Sequence, residues 1–293
     1  MGHDHHHHHH GRSLWEGLIL TLGFALVEAV GGWWSGSLAL LGDAAHMVTD
    51  GLALGLAALA AWLARRPPSP RHSYGLLRME VVAALVNALF MLAVVAGIAW
   101  EAWRRWREPE PVDGALVVVV AALGLLVNAL VAWRLLRGER DLNVRAALLH
   151  VAGDFLGSVA ALVSGVVILW TGWYPIDPLL SVLICGLILV STLRLLREVL
   201  HVILEGVPLH LDLERIGRAL AALPGVVSVH DLHVWTLASG RIALTAHVVV
   251  RRMDVWPTVL AEAHRLLRER FHIDHITLQP EPVEVRVPLS AVR

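Results

Sequence analysis

The chain has 293 residues, 56% of them hydrophobic and 17% charged, and its mean hydropathy of +0.62 is too high for a water-soluble domain of this length. All 24 basic residues are arginines, set against 25 acidic ones, so the formal net charge of -1 excludes a bulk electrostatic pull toward nucleic acid. The single cysteine, Cys185, sits in an apolar run, which excludes an intrachain disulfide framework, a CxxC zinc site and a Cys-His nucleophile pair.

The chain opens MGHDHHHHHHG, a histidine run that reads either as a purification tag or as a native metal-capturing tail, and residues 1–13 are set apart in both readings. Apolar stretches of about 20 residues, enough to cross a bilayer core, follow near 14–34, 38–63, 80–103, 112–136, 143–170 and 176–196. They predict an all-α transmembrane domain of six helices over residues 14–200. An even number of spans puts both termini on one side. The connections at 65–78 and 134–145, together with Arg12, Arg194 and Arg197, hold most of the arginines near the membrane, whereas the opposite side has Arg104, Arg105 and Arg107. The positive-inside rule therefore makes both termini cytoplasmic. Trp33, Trp34, Trp100, Trp103, Trp170 and Trp173 lie toward span ends, as an interfacial aromatic belt requires.

Past Pro208 the pattern changes. LDLERIGRALAALPG has helical spacing with Pro224-Gly225 as its stop, VVSVHDLHVW and RIALTAHVVV read as strands, VWPTVLAEAHRLLRER is helical, and HITLQ is a last short strand. The order predicts a small α+β domain, αββαβ, over residues 207–287. At about 80 residues such a domain has a modest core, and a dimer partner would help to stabilise it.

The polar residues inside the apolar spans carry the chemistry. GDAAHMVTD places Asp43, His46 and Asp50 on one face of the second span, at a depth where each ionised side chain costs roughly 2.5–3.5 kcal/mol. LLHVAGD repeats the HxxxD spacing in the fifth span with His150 and Asp154. One polar pair in a membrane helix is readily explained as helix-packing glue. Two such pairs in separate spans point to function. At ~1.5 Å per residue both lie on the order of 10–20 Å below the surface at which their spans begin, so they can meet near mid-membrane. Two imidazoles and two carboxylates complete a tetrahedral shell for a borderline cation, Zn²⁺ first, with Cd²⁺ and Co²⁺ fitting the same donors. Two ionised Asp and one divalent ion make a neutral site, and protons are the available replacement when the metal leaves. Four protein ligands leave no open position for a catalytic water, so the shell argues against an enzyme. Glu28, Glu80, Asn87, Glu101 and Asn128 stay open to two readings, lining a path or packing helices, and Asp43 alone leans to function.

The chain resembles the cation diffusion facilitator family of zinc transporters over nearly its whole length. GSLALLGDAAHMVTD is similar to that family's second-span signature, LLHVAGDFLGSVAAL to its fifth, RHSYGLLRMEVVAALVN to its third-span entry, and VHDLHVWTL to its cytoplasmic domain. The resemblance implies a homodimer of six-span protomers with metallochaperone-like cytoplasmic domains, working by metal-proton antiport. It also implies that His46, Asp50, His150 and Asp154 form the transport site and prefer zinc to manganese. Some members hold a second metal in the loop between spans two and three; PPSPRHSYGLLR offers only His72, so no such site is expected here.

Related members bind zinc between their cytoplasmic domains at positions matching His230, His247, His264 and Glu281, with Asp274 a further candidate. Strand alternation turns Asp231 away from its neighbour His230, and His264 also reads as a solvated helix residue. His233 lies on the same strand, while His201, His210 and His272 are given structural roles. The leading expectation is a zinc-exporting antiporter, multi-pass in a bacterial inner or plasma membrane. An intramembrane metalloprotease would need a general base such as the Glu of HExxH, and that motif is missing. A metal-binding membrane sensor or scaffold without vectorial transport is the alternative, and it shares every ligand.

Overall fold

The computed structural model describes residues 7–136, 142–238 and 240–283; within its helices the side chains of 7–19, 142–147, 149 and 150 lie outside that description. Residues 1–6 of the histidine-rich tail, Arg137 and Arg140, and the side chains of Arg12, Arg145 and His150 therefore fall outside the described residues.

Six long helices come first: α1 (His7–Ser35), α2 (Leu38–Ala64), α3 (Met79–Arg107), α4 (Gly114–Leu136), α5 (Leu142–Thr171) and α6 (Ile176–Ile203). Among the described residues, α2 to α6 are long and apolar enough to cross a membrane, so this is a multi-pass membrane protein. The expected first span lies within α1. The breaks have local causes. Gly36, at φ 74°, turns α1 into α2 in a left-handed conformation that costs a Cβ-bearing residue dearly. The Asp113 carboxylate caps α4 by accepting from the amides of Ala115 and Leu116 at 3.0 and 3.2 Å.

The chain divides into two compact units. The first joins residues up to 58 with 84–196, and its core draws Phe24 and Ala25 of α1, Leu40 and Met47 of α2, Val117 and Ala121 of α4, and Ala161 and Ile168 of α5. A second cluster, Met91 and Val95 with Ile184, Cys185 and Ile188, packs α3 on α6. Gly114 and Gly165 let α4 and α5 touch: a Cβ on either would meet the other's carbonyl oxygen at about 3 Å, the close approach that small residues permit in membranes. Leu26, Leu126, Leu183 and Trp170 are exposed, the inverse of a soluble bundle and the arrangement lipid calls for.

The second unit joins residues 59–83 with those from 197 onward. It holds α7 (Leu213–Ala221), β1 (Val226–Ala238), β2 (Arg241–Val250), a single 3-10 turn (Met253–Val255), α8 (Trp256–Phe271) and β3 (His275–Pro282). This is the expected αββαβ order. The sheet runs β1-β2-β3, antiparallel across the first pair and parallel across the second. Ile216 and Leu220 of α7 and Leu267 and Phe271 of α8 cover Val234 and Leu244. Gly225, at φ 93°, makes the turn after Pro224, and His272 ends α8 in the left-handed conformation at φ 55°. The α2–α3 connection belongs to this unit. Arg78 bonds Glu205 at 2.9 Å, and the Tyr74 ring meets the edge of His275 with centroids 5.5 Å apart.

Candidate metal centre

His46 and Asp50 are one turn apart on α2, and the fold brings α5 against that face. His46 Nε2 is 3.5 Å from Asp50 Oδ2 and 3.9 Å from Asp154 Oδ1. Three of the four expected donors thus converge from two helices, their side chains 20, 25 and 2% exposed. His150 occupies α5 one turn before Asp154, and its side chain lies outside the described residues. A cavity of about 640 Å³ among α2, α5 and α6 is lined by Asp43, His46 and Ser191 together with apolar residues such as Val163, Ile184, Leu187 and Ile188. Its walls are mostly apolar, so an ion entering there meets few oxygens or nitrogens other than those of the site.

Asp43, expected to share the site's face, takes a supporting place. It is 2% exposed and hydrogen-bonds Ser158, whose Oγ also accepts from Asn128 Nδ2 at 3.2 Å. Gly157 faces its carboxylate so closely that a Cβ there would collide with Asp43 Oδ1. Asn128 therefore belongs to a polar chain leading to the site. Gly157 was not found from sequence, and its only signal was a glycine at i+3 from Asp154. Asp177 is a second omission. From the start of α6 it accepts from Ser37 Oγ and the Leu38 amide, each at 2.6 Å, and from Ser164 Oγ at 3.1 Å. This remote carboxylate caps the N-terminus of α2 and holds the helix that carries His46 and Asp50.

The second candidate lies on the sheet of the other unit. His230 and His247 are register partners across β1 and β2, and β3 brings Glu281 beside them. Glu281 takes one imidazole on each oxygen, His230 Nε2 at 2.9 Å and His247 Nδ1 at 2.7 Å. One nitrogen or oxygen from each of the three lies within 4.8 Å of the others, close enough to share an ion. The hydrogen bonds from His247 and then His230 hold the Glu281 carboxyl below the usual carboxylate range.

Asp231 departs from expectation. The β1 register shifts between His230 and His233, Asp231 adopts φ 51°, and its carboxylate comes within 3.8 Å of His247 Nε2 and 3.0 Å of His233 Nε2. The bulge suspends strict alternation, so the residue expected to face away approaches the cluster. His264, half-buried on α8, and Asp274, exposed before β3, are not gathered into it among the described residues. Of the histidines given structural roles, His201 bonds the Val207 carbonyl at 2.8 Å and His272 caps α8.

Two family models match: the cation efflux transmembrane domain over residues 14–204 and the cytoplasmic domain of cation efflux proteins over 208–283. The zinc transporter ZitB of Escherichia coli strain K12 is 43% identical over 89% of this chain and 84% of its own. The metal cation efflux system protein CzcD of Cupriavidus metallidurans is 42% identical over 95% and 89%. A Bacillus subtilis protein named as a cadmium, cobalt and zinc/H(+)-K(+) antiporter is 34% identical over 96% and 92%.

Proposed function

The chain belongs to the cation efflux family, the cation diffusion facilitators, and from that premise we propose that it exports zinc by exchanging the metal for protons at His46, Asp50, His150 and Asp154. The observation that carries this reading is the approach of His46 Nε2 to carboxylates on α2 and α5 within 3.9 Å. The ZitB, CzcD and Bacillus names support zinc, cadmium and cobalt as the class of cargo, and the last supports proton exchange.

In this mechanism metal and protons compete for the same atoms. An imidazole binds metal only when neutral and a carboxylate only when ionised, so each ion that loads displaces protons and each that leaves is replaced by them. Loaded with Zn²⁺, the two carboxylates are balanced; reloaded with protons, they are again close to neutral. Both forms therefore avoid the cost of bare charge in the membrane. Residues 14–200 carry transport, and residues 207–287 pair two protomers and bind regulatory metal through His230, His247 and Glu281. Both termini face the cytoplasm, as the arginine distribution requires.

Reconstitution in proteoliposomes tests the reading. A proton gradient should drive zinc across the bilayer, and zinc should in turn move protons. Bound zinc with neither flux would make the protein a sensor or scaffold and would overturn the proposal.

A further inference from the structure

We propose that the cavity among α2, α5 and α6 holds a single phospholipid acyl chain, which enters sideways from the bilayer and ends against Asp43 and His46. Of the described residues that line the cavity, only those two and Ser191 carry polar side chains; the rest are aliphatic or glycine. Leu156, Leu183 and Leu187 in its wall are 57, 57 and 56% exposed, so the lining continues into the face that the membrane unit turns to lipid. Ile184 and Ile188, each 8% exposed, are the buried part of the same wall.

Dimensions and chemistry together select a lipid tail. α5 lines the cavity from Gly153 to Val163 and α6 from Leu180 to Ser191, and at ~1.5 Å per residue each stretch is about 15 Å long. That is half of a hydrocarbon core of about 30 Å, the depth that the tails of one leaflet fill. Val163 and Leu180 lie toward the α5–α6 connection, where Trp170 and Trp173 are exposed as interfacial anchors are, so the chain belongs to the leaflet on that side. Water finds few partners on such walls, and a hydrated ion entering them loses solvation that they do not replace. A hydrocarbon chain makes dispersion contacts along its whole length and needs no hydrogen bond. Little intrinsic affinity is required, because tails surround the opening and the transfer is from one hydrocarbon setting to another. Under the export reading, the seated chain keeps water off that flank of His46 and leaves ions a polar route to the centre.

The test reads binding and needs no flux, so it stands or falls apart from zinc export. Full-length protein is placed in vesicles of phosphatidylethanolamine and phosphatidylglycerol, doped with a phosphatidylglycerol that carries a diazirine at the end of a palmitoyl chain. After irradiation the protein is digested and the adducts are mapped by mass spectrometry. Adducts should form on Ile184 and Ile188, which bulk lipid does not reach, as well as on Leu126, an exposed residue of α4 that serves as reference. Ala160→Phe places a ring in the cavity and should abolish labelling of Ile184 and Ile188 while leaving that of Leu126 unchanged. If that variant fails to fold, two cysteine variants decide, both made after the buried Cys185 is replaced by alanine. Ile188→Cys should resist a charged, water-soluble thiosulfonate, and Leu183→Cys should form no disulfide with a second copy. Labelling confined to the exposed leucines, or labelling of Ile188 untouched by Ala160→Phe, would overturn the proposal. Rapid modification of Ile188→Cys from water would overturn it in favour of an aqueous vestibule, and a Leu183→Cys cross-link between two copies in favour of a protein interface.

Discussion

The two histidine–carboxylate clusters are built from similar donors by different means. In the sheet of the second unit, Glu281 bonds His230 and His247 directly at 2.9 and 2.7 Å, and the three side chains are 33, 51 and 30% exposed. In the membrane unit, His46 stands 3.5 and 3.9 Å from Asp50 and Asp154, and Asp154 is 2% exposed. The exposed cluster satisfies its own hydrogen bonds and is wetted by solvent, so it needs no ion to offset its charge. Carboxylates in the membrane must be neutralised by a partner, a proton or a cation. Under the proposed function, the same donors therefore serve as a regulatory site in water and as a transport site in the bilayer.

The largest effect should come from breaking the membrane cluster. Asp154→Ala leaves one carboxylate against a divalent ion, and the loaded site would carry net positive charge at low dielectric. Zinc flux in proteoliposomes should fall at least about a hundredfold, a loss of roughly 2.7 kcal/mol or more in transition-state terms. Unfolding temperature should stay near that of the parent protein. Near-parental flux from folded Asp154→Ala would remove that residue from the site. Glu281→Ala, by contrast, should leave flux within about threefold, because a rim ligand in water is worth little.

Next in size is selectivity. His46→Asp exchanges an imidazole for a third carboxylate, and the Zn²⁺ to Mn²⁺ flux ratio should drop by about tenfold as the shell becomes harder. An unchanged ratio would show that His46 does not set metal choice. Smaller again is the effect of Gly157→Ala. Its new methyl collides with the Asp43 carboxylate, a clash worth about 1–3 kcal/mol, and should slow transport several-fold while lowering Tm by a few degrees. Gly153→Ala is the control: it lines the same cavity with nothing within 4 Å of its added Cβ, and should behave like the parent.

Legibility in the sequence follows the range of the interaction. His46, Asp50 and Asp154 could be found because i,i+4 spacing inside an apolar span is a local signal, and two copies of it imply a meeting point. Gly157 and Asp177 could not. Their roles depend on partners supplied by another helix, Asp43 for the first and Ser37, 140 positions away, for the second, and a glycine or a carboxylate at a span end has many ordinary explanations. Asp231 was misread because alternation assumes a regular strand and the bulge after His230 breaks it. The order αββαβ was legible from periodicity, but the hydrogen bond between His247 and Glu281 depends on the parallel register of β2 on β3, which sets Glu281 opposite Val249, two residues past His247, and which periodicity does not specify.

The smallest prediction sharpens the account of the exposed cluster. Because the imidazoles of His247 and His230 hold the Glu281 carboxyl below its ordinary range, the folded state favours the ionised form more than the unfolded chain does. A depressed carboxylate pKa contributes stability that is present above the unfolded value, near pH ~4.3 for a glutamate, and is lost as pH falls through the lower folded value. Glu281→Gln removes that contribution at every pH. In metal-free, full-length protein the parent should therefore melt above the variant by about 1–3 °C at neutral pH, the scale of an exposed ion pair. The gap should persist down to about pH 5 and close only below the ordinary glutamate range. High salt should narrow it, since both partners are open to solvent. A gap that has already vanished at pH 6 would mean that the carboxylate is not held by these imidazoles. The cluster would then be three neighbours on a sheet, brought together by strand register alone.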